Sequence, residues 1–432
     1  MILEMLSFVA FALRPLTLAE LSEACQFYPD EEEDFRLQFT QEVIDLCRLM
    51  IVVQGRHVRL LHKSVKDFLS RETQNIDSLQ VNARMAYRCI SNILQSPHLE
   101  SARQLSNSRN GLLDYSTVYW PQHAGLSKTE FAVMREHESF FLSNSRSWGK
   151  WMRHYNSLQA SFSNRLDVGF STLHAAARWG IPQLIQVAIT GPNADFDHLE
   201  PAPARKILID SEFRTDKGVT PLVEAARNGR VSIMKILLER GPQNQRINQN
   251  VMIAAAGNTM HGDKVVAFLL THHRNQVQIT DDMIKVVSQN RPHGKLIMGL
   301  FLNRCNDQIQ RNSHLVYTII ENFDVMVVTF LLNQCKEPFQ ITEDMIEATA
   351  RNDSHGTKIM ALMLQRYRDQ IRDNPRLVPT IIQNFDLKVV KFALSQLGNC
   401  IRLTDDIFRA AARNHGHENV MFLLLDQYGD EI

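Results

Sequence analysis

Sixteen histidines and six cysteines are the side chains best suited to chemistry in this 432-residue chain, and their spacing limits what they can do. Cys25, Cys47, Cys89, Cys305, Cys335 and Cys400 form no C-x-x-C pair and no metal-ligand spacing, a pattern expected of buried free thiols in a reducing, cytoplasmic setting. Neither H-E-x-x-H nor a Cys/His cluster with zinc spacing occurs. His272-His273 reads as a helix end, where a cationic imidazole complements the dipole. His261, His293 and His355 fall in equivalent turns of different repeats, so they make a spaced row and not one site. The acidic pairs Asp281-Asp282, Glu343-Asp344 and Asp405-Asp406 each follow a threonine, which assigns them to the first turns of capped helices and not to cation binding. Gly257 to Lys264 has phosphate-loop glycine spacing but lacks the adjacent Lys-Ser/Thr, and no other G-x-x-x-x-G-K-[ST] exists. A G-x-S-x-G nucleophile elbow is also missing. These residues predict a chain that is not an enzyme and carries no cofactor or metal.

Bulk properties point the same way. Lys plus Arg equals Asp plus Glu at 47 each, so no basic surplus serves a phosphate backbone, and nucleic acid is not expected as a partner. No run reaches the ~18 apolar residues of a membrane span. Met1–Leu13 is apolar but holds Glu4 and lacks a basic leader, so it reads as a core helix and not a signal peptide.

Positioning elements emerge from a repeat. A short apolar helix ending in asparagine recurs at Asn228, Asn258, Asn290, Asn322, Asn352, Asn384 and Asn414, with spacings of 30, 32, 32, 30, 32 and 30. A 62-residue period lies over it, linking Asn290 to Asn352 and Asn352 to Asn414. The long form carries His261-Gly262, His293-Gly294 or His355-Gly356; the short form runs Asn322-Phe323-Asp324 and Asn384-Phe385-Asp386. Each asparagine is expected to end its helix in the left-handed conformation. Thr280, Thr342 and Thr404 are expected to open first helices as caps. The second helices, such as Val325–Leu332, are apolar on most sides and are expected to be buried between stacked neighbours.

Gly218-Val219-Thr220-Pro221-Leu222-Val223-Glu224-Ala225-Ala226-Arg227-Asn228-Gly229 resembles the ankyrin consensus, as does Gly169-Phe170-Ser171-Thr172-Leu173-His174-Ala175-Ala176-Ala177-Arg178-Trp179-Gly180. Val223 departs from the usual histidine, Ser171 from the threonine and Thr172 from the proline. Trp179 and Asn228 are 49 apart, which places an insert of about 16 residues within 191–217. The later units resemble the degenerate ankyrin-like repeats of fungal multidomain proteins.

Ahead of the array, residues 1–72 read as helix Leu3–Leu13, helix Leu18–Ala24 capped by Thr17, an acidic loop Asp30–Asp34, helix Phe39–Leu49 and a hairpin, Met50–Val53 with Val58–Leu61, turning at Gln54-Gly55-Arg56. Leu13-Arg14-Pro15-Leu16-Thr17-Leu18-Ala19-Glu20-Leu21 and Val58 to Leu69 resemble the winged-helix domain that follows the NACHT-type NTPase of fungal NOD-like receptors, a module also labelled a GPI inositol-deacylase winged helix. No deacylase activity follows from that label. Residues 73–160, with Tyr115, Trp120, His123, Trp148 and Trp151, resemble the helical connector of the same receptors, and these aromatics are expected to pack as core. In those receptors a histidine after the hairpin contacts nucleotide phosphate. His62 stands there, followed by Lys63 where aspartate is usual, and the local alternative is a helix-start histidine packed in its own domain.

The expected architecture is mainly α: a winged-helix domain at 1–72 with a small β-hairpin, a helical connector at 73–160, and an α-solenoid of ankyrin-type hairpins at 165–432. The expected function is a non-catalytic scaffold or sensor that reads a protein partner, with Trp179 as anchor flanked by Arg178, Arg214, Lys217 and Arg227. Trp179→Ala is expected to weaken partner binding while leaving the melting temperature nearly unchanged. The alternative is a regulatory fragment of a nucleotide-switched receptor whose NTPase domain is missing from this chain, encoded elsewhere or lost by truncation or a misplaced gene start, with His62 as nucleotide sensor only where such a domain is supplied. The chain is expected to stop where a further repeat would begin, with the last hairpin fraying.

Overall fold

The computed structural model describes residues 1–47, 49–71, 76–96, 111–142, 145–190, 214–240, 247–334, 340–398 and 404–428. Cys335, Cys400, Leu403, most of the 191–217 insert and the last four residues lie outside them. The chain divides into two compact units, Met1–Gln245 and Arg246–Ile432, so the division falls within the repeat array.

The first unit opens with α1 (Ile2–Phe11), β1 (Leu16–Thr17), α2 (Leu18–Cys25), α3 (Glu33–Leu46), β2 (Ile51–Gln54), β3 (His57–Leu60) and α4 (Lys63–Arg71). The expected hairpin is present, and a third strand completes an antiparallel sheet in the order β1-β3-β2, with Leu16 opposite Val58. Two residues are too few to show alternation in a sequence; β1 forms because Leu16 is buried while Thr17 turns to cap α2. The Glu20 amide donates to the Thr17 hydroxyl at 3.2 Å and the Thr17 amide donates back to the Glu20 carboxylate at 2.8 Å, a reciprocal capping box. The acidic run is only partly loop. Helix α3 begins inside it, with Glu33 and Asp34 in the first turn, where the free amides favour carboxylates.

The connector follows as α5 (Ser78–Gln95), α6 (Leu113–Leu126), α7 (Arg135–Glu138) and α8 (Arg146–Leu158). Val81, Met85 and Cys89 share its buried face, as their spacing required. Tyr115 and His123 bind this layer to the winged helix. The Leu13 amide donates to the Tyr115 hydroxyl (3.0 Å), which lies 2.7 Å from His123 Nε2; His123 Nδ1 lies 2.7 Å from Asn82 Oδ1. Because Asn82 Oδ1 only accepts, Nδ1 carries the proton and Nε2 accepts from the phenol. Trp120, Phe140, Phe141, Trp148 and Trp151 form one aromatic core with centroid separations of 4.6 to 6.3 Å. That core runs on into the first repeat, α9 (Thr172–Trp179) with α10 (Pro182–Thr190): the Trp148 indole donates to the Phe170 carbonyl at 2.9 Å and the Thr172 hydroxyl to the Phe141 carbonyl at 2.7 Å. The second repeat is α11 (Pro221–Arg227) with α12 (Val231–Arg240).

The second unit continues the hairpins: α13 (Gln249–Gly257) with α14 (Gly262–His272), α15 (Asp281–Gln289) with α16 (Gly294–Arg304), the short α17 (Asn306–Arg311), α18 (Ser313–Asn322) with α19 (Val325–Gln334), α20 (Glu343–Arg351) with α21 (Gly356–Asp373), α22 (Leu377–Asn384) with α23 (Leu387–Leu397), and α24 (Asp405–Arg413) with α25 (His417–Tyr428). Thr280 and Thr342 cap α15 and α20 by accepting from the Met283 and Met345 amides at 3.4 Å, whereas Thr404 makes no such bond.

The asparagines hold the hairpins together, but not as left-handed caps. Asn258, Asn290, Asn352 and Asn414 have φ of −72, −78, −81 and −67°. Their work is done by the side chain. Asn290 Nδ2 donates to the carbonyls of Ala256 (2.7 Å) and Asn258 (3.1 Å), Asn352 Nδ2 to those of Ile320 and Phe323 (2.8 Å each), and Asn414 Nδ2 to those of Ile382 (2.6 Å) and Phe385 (2.7 Å). Each is buried and satisfies free carbonyls at the end of the preceding first helix. Oδ1 meanwhile accepts the His293 or His355 amide and shapes the following loop. The exposed Asn322 and Asn384 instead bond carbonyls within their own helices, those of Thr318 and Thr380, at 2.9 Å. Asn290, Asn352 and Asn414 on one side and Asn322 and Asn384 on the other thus take two bonding roles. The glycine of each His-Gly pair has its own reason. A Cβ on Gly294 or Gly356 would stand 2.3 Å from the carbonyl of Val287 or Thr349. The second helices are less enclosed than their composition led us to expect: Leu296 is 61%, Met326 76% and Phe422 73% exposed, because neighbouring repeats cover one face and not the whole cylinder.

Candidate functional site: a charged cavity beside paired turns

Two turns 48 residues apart in sequence lie side by side in the first unit. Asp167 to Phe170 closes with the Phe170 amide on the Asp167 carbonyl (3.1 Å), and Thr215 to Gly218 with the Gly218 amide on the Thr215 carbonyl (2.8 Å). Gly169 has φ +83°, and a Cβ there would also meet the Arg214 carbonyl at 3.0 Å, so the close pairing of turns depends on glycine. The Asp216 amide donates to the Val168 carbonyl at 2.9 Å, and Lys217 Nζ donates to Asp167 at 2.5 Å.

His174 fixes the turns to the helices. Its Nδ1 accepts the Ser171 amide at 3.1 Å, so the proton sits on Nε2, which donates to the Val219 carbonyl at 3.0 Å. Burial holds this imidazole below the usual histidine range, in keeping with a neutral structural ring. At the equivalent place in the next repeat Val223 is apolar and buried.

Between the turns and α9 and α11 lies a cavity of about 200 Å³, lined by Phe162, Arg165, Asp167, His174, Arg178, Lys217, Glu224, Arg227 and neighbours. Glu224, only 5% exposed, stands at its centre of charge: Arg227 Nη1 is 3.2 Å and Arg178 Nε 3.8 Å from its carboxylate, and Asn228 Nδ2 donates to it at 3.2 Å. Arg165 lies over the Phe162 ring at 4.1 Å, with its Nε buried and without a hydrogen-bond partner among the described residues.

Of the five residues expected to face a partner, Arg178, Lys217 and Arg227 line this cavity. Arg214 is exposed outside the lining. Trp179 is not a free anchor: it is half-buried, with its ring 5.9 to 6.2 Å from those of Phe170, Tyr155 and Trp151 and the Arg178 guanidinium over it. Tryptophan at this turn extends the connector's aromatic core, so its removal is expected to lower stability. Sequence alone does not single out Arg165, Asp167 and Glu224 as site residues. The available signal was the 49-residue offset, which sets Asp167-Val168-Gly169 over Asp216-Lys217-Gly218. His62 is exposed, and its Nδ1 accepts the Ser64 amide at 3.2 Å, capping α4. Among the described residues no group of three or more potential metal ligands occurs, and no helix is long and apolar enough to cross a membrane.

Residues 2–82 match the model of the GPI inositol-deacylase winged helix domain, and residues 173–281 match that of ankyrin repeats in three copies. The chain joins a winged helix to ankyrin repeats. A domain of unknown function (DUF7104) matches three times, at 268–298, 330–360 and 394–421, each match containing one of the bridging asparagines Asn290, Asn352 and Asn414. No curated protein and no solved structure matches the chain. The ankyrin repeats support a protein-interaction role.

Proposed function

We propose that the chain is a non-catalytic reader of a protein partner, engaging it at the paired turns and the charged cavity beside them. The observation that carries this is the gathering of four cations around one opening by Asp167, Glu224, Phe162 and the Trp179 ring. Side chains held in place before binding lose little freedom on binding. The winged helix supports a protein and not a nucleic-acid partner. Helix α3, at the position of a groove-reading helix, carries Glu33, Asp34, Glu42 and Asp45 against a single Arg36, which repels phosphate. A photo-reactive benzoylphenylalanine in place of the exposed Ser163 tests the reading in cells. A discrete protein adduct, not formed with the same group at Gln38 on α3, is expected; equal or absent labelling at the two positions contradicts it.

A second reading treats the chain as the regulatory portion of a nucleotide-switched receptor of the fungal NOD-like type, docking against an NTPase domain supplied by another chain. Exposed apolar side chains on the winged helix support it: Leu46 (75%), Leu49 (83%), Leu61 (56%) and Phe68 (48%). His62 would face the nucleotide only in such a complex. Calorimetry on the chain alone should show no ADP or ATP binding; binding without the NTPase domain would refute this version.

A further inference from the structure

Resting on the protein-reader proposal, we infer that the cavity beside the paired turns receives an anionic side chain of the partner, a carboxylate or a phosphate. Charge selects this chemistry. Arg165, Arg178, Lys217 and Arg227 line the cavity against two carboxylates, Asp167 and Glu224, which leaves two positive charges in excess. His174 adds none, because its ring nitrogens are committed to Ser171 and Val219 as a neutral imidazole.

Size selects a side chain over a free small molecule. About 200 Å³ is below the roughly 300–1,000 Å³ of typical small-molecule pockets. Geometry selects an oxyanion. Glu224 already holds the Arg178 and Arg227 guanidinia at the opening, and the Phe162 ring holds that of Arg165. The buried Nε of Arg165 is a donor without an acceptor among the described residues, a state that costs free energy. A planar guanidinium with a free N–H edge is suited to bidentate capture of carboxylate or phosphate oxygens. An incoming cation, by contrast, would have to compete with two arginines for Glu224.

A random peptide library displayed on phage and selected against the full chain tests this. Enriched sequences are expected to share an Asp or Glu, and synthetic versions with that residue changed to Gln are expected to bind about tenfold more weakly, the factor for one charge-assisted hydrogen bond of about 1.4 kcal/mol. Arg165→Gln should produce a similar loss with little change in melting temperature, since Arg165 makes no ion pair among the described residues and the lost contact with Phe162 is offset by removal of the unpartnered buried Nε, and Arg165→Lys should recover part of it. Replacing the selected acid by phosphoserine distinguishes the two sources: the tighter binder names the oxyanion, and either result supports the site. Enriched peptides without acids, or acid-dependent binding indifferent to both Arg165 variants, would overturn the inference while leaving the reader proposal standing. A library with no enrichment, together with no adduct at Ser163, would remove the reader proposal itself.

Discussion

One carboxamide in each long repeat carries more than its size suggests. Asn290 satisfies two carbonyls of the preceding repeat and one amide of its own loop while buried, whereas Asn322 bonds only within its own helix and is exposed. Truncation should separate them. Asn290→Ala is expected to cost about 3 kcal/mol, because buried partners are left unsatisfied, and Asn322→Ala about 0.5 kcal/mol; urea unfolding of the two variants checks the contrast. A second prediction concerns pH. Burial depresses His123 to about 3 and lowers His174 below its usual range. Between pH ~6.5 and ~3 the unfolded chain therefore binds protons at His123 that the folded chain does not, so stability falls as pH falls through that window, by a few kcal/mol for this ring. His123→Asn, which keeps a donor for Asn82 and cannot titrate there, should flatten the acid limb of a stability–pH curve. The spacing of the asparagines was legible in the sequence, but their role was not: periodicity reports which residue type recurs, and the carbonyls it reaches lie 29 to 34 residues earlier in the chain. The Tyr115–His123–Asn82 chain was hidden for the same reason, since its members belong to two helices with no shared period.

At the scale of elements, the joint between connector and first repeat is a single aromatic core. The sequence marked Trp120, Trp148 and Trp151 as core and set Trp179 apart as a surface anchor, because it stood inside a repeat motif. The structure puts Trp179 against the rings of Trp151 and Tyr155. Trp179→Ala is accordingly expected to destabilise by about 2 kcal/mol, less than the 3–5 kcal/mol of a fully buried tryptophan, and to speed hydrogen exchange in α8 and α9 together. Exchange accelerated in α9 alone would show that the joint is not cooperative. Helix content and order along the chain were legible because caps and apolar periods are local signals. The two-residue β1 was not, since its pairing with β3 spans some forty residues.

Over the whole molecule, the winged helix, connector and first two repeats form one compact unit and the later hairpins another. The expected domain borders followed composition and motif, and ankyrin likeness alone would have kept all repeats together. The candidate site was half legible. Arg178, Lys217 and Arg227 were read from the turns, while Arg165, Asp167 and Glu224 required knowing that turns separated by a long insert lie side by side. A partner segment is proposed to bind at these turns. Hydrogen exchange of the full chain with and without a selected acidic peptide measures this most directly. Protection confined to residues 162–178 and 214–228 is the predicted result. Protection restricted to α3 and the β2–β3 hairpin, or to residues 247–428, would contradict it.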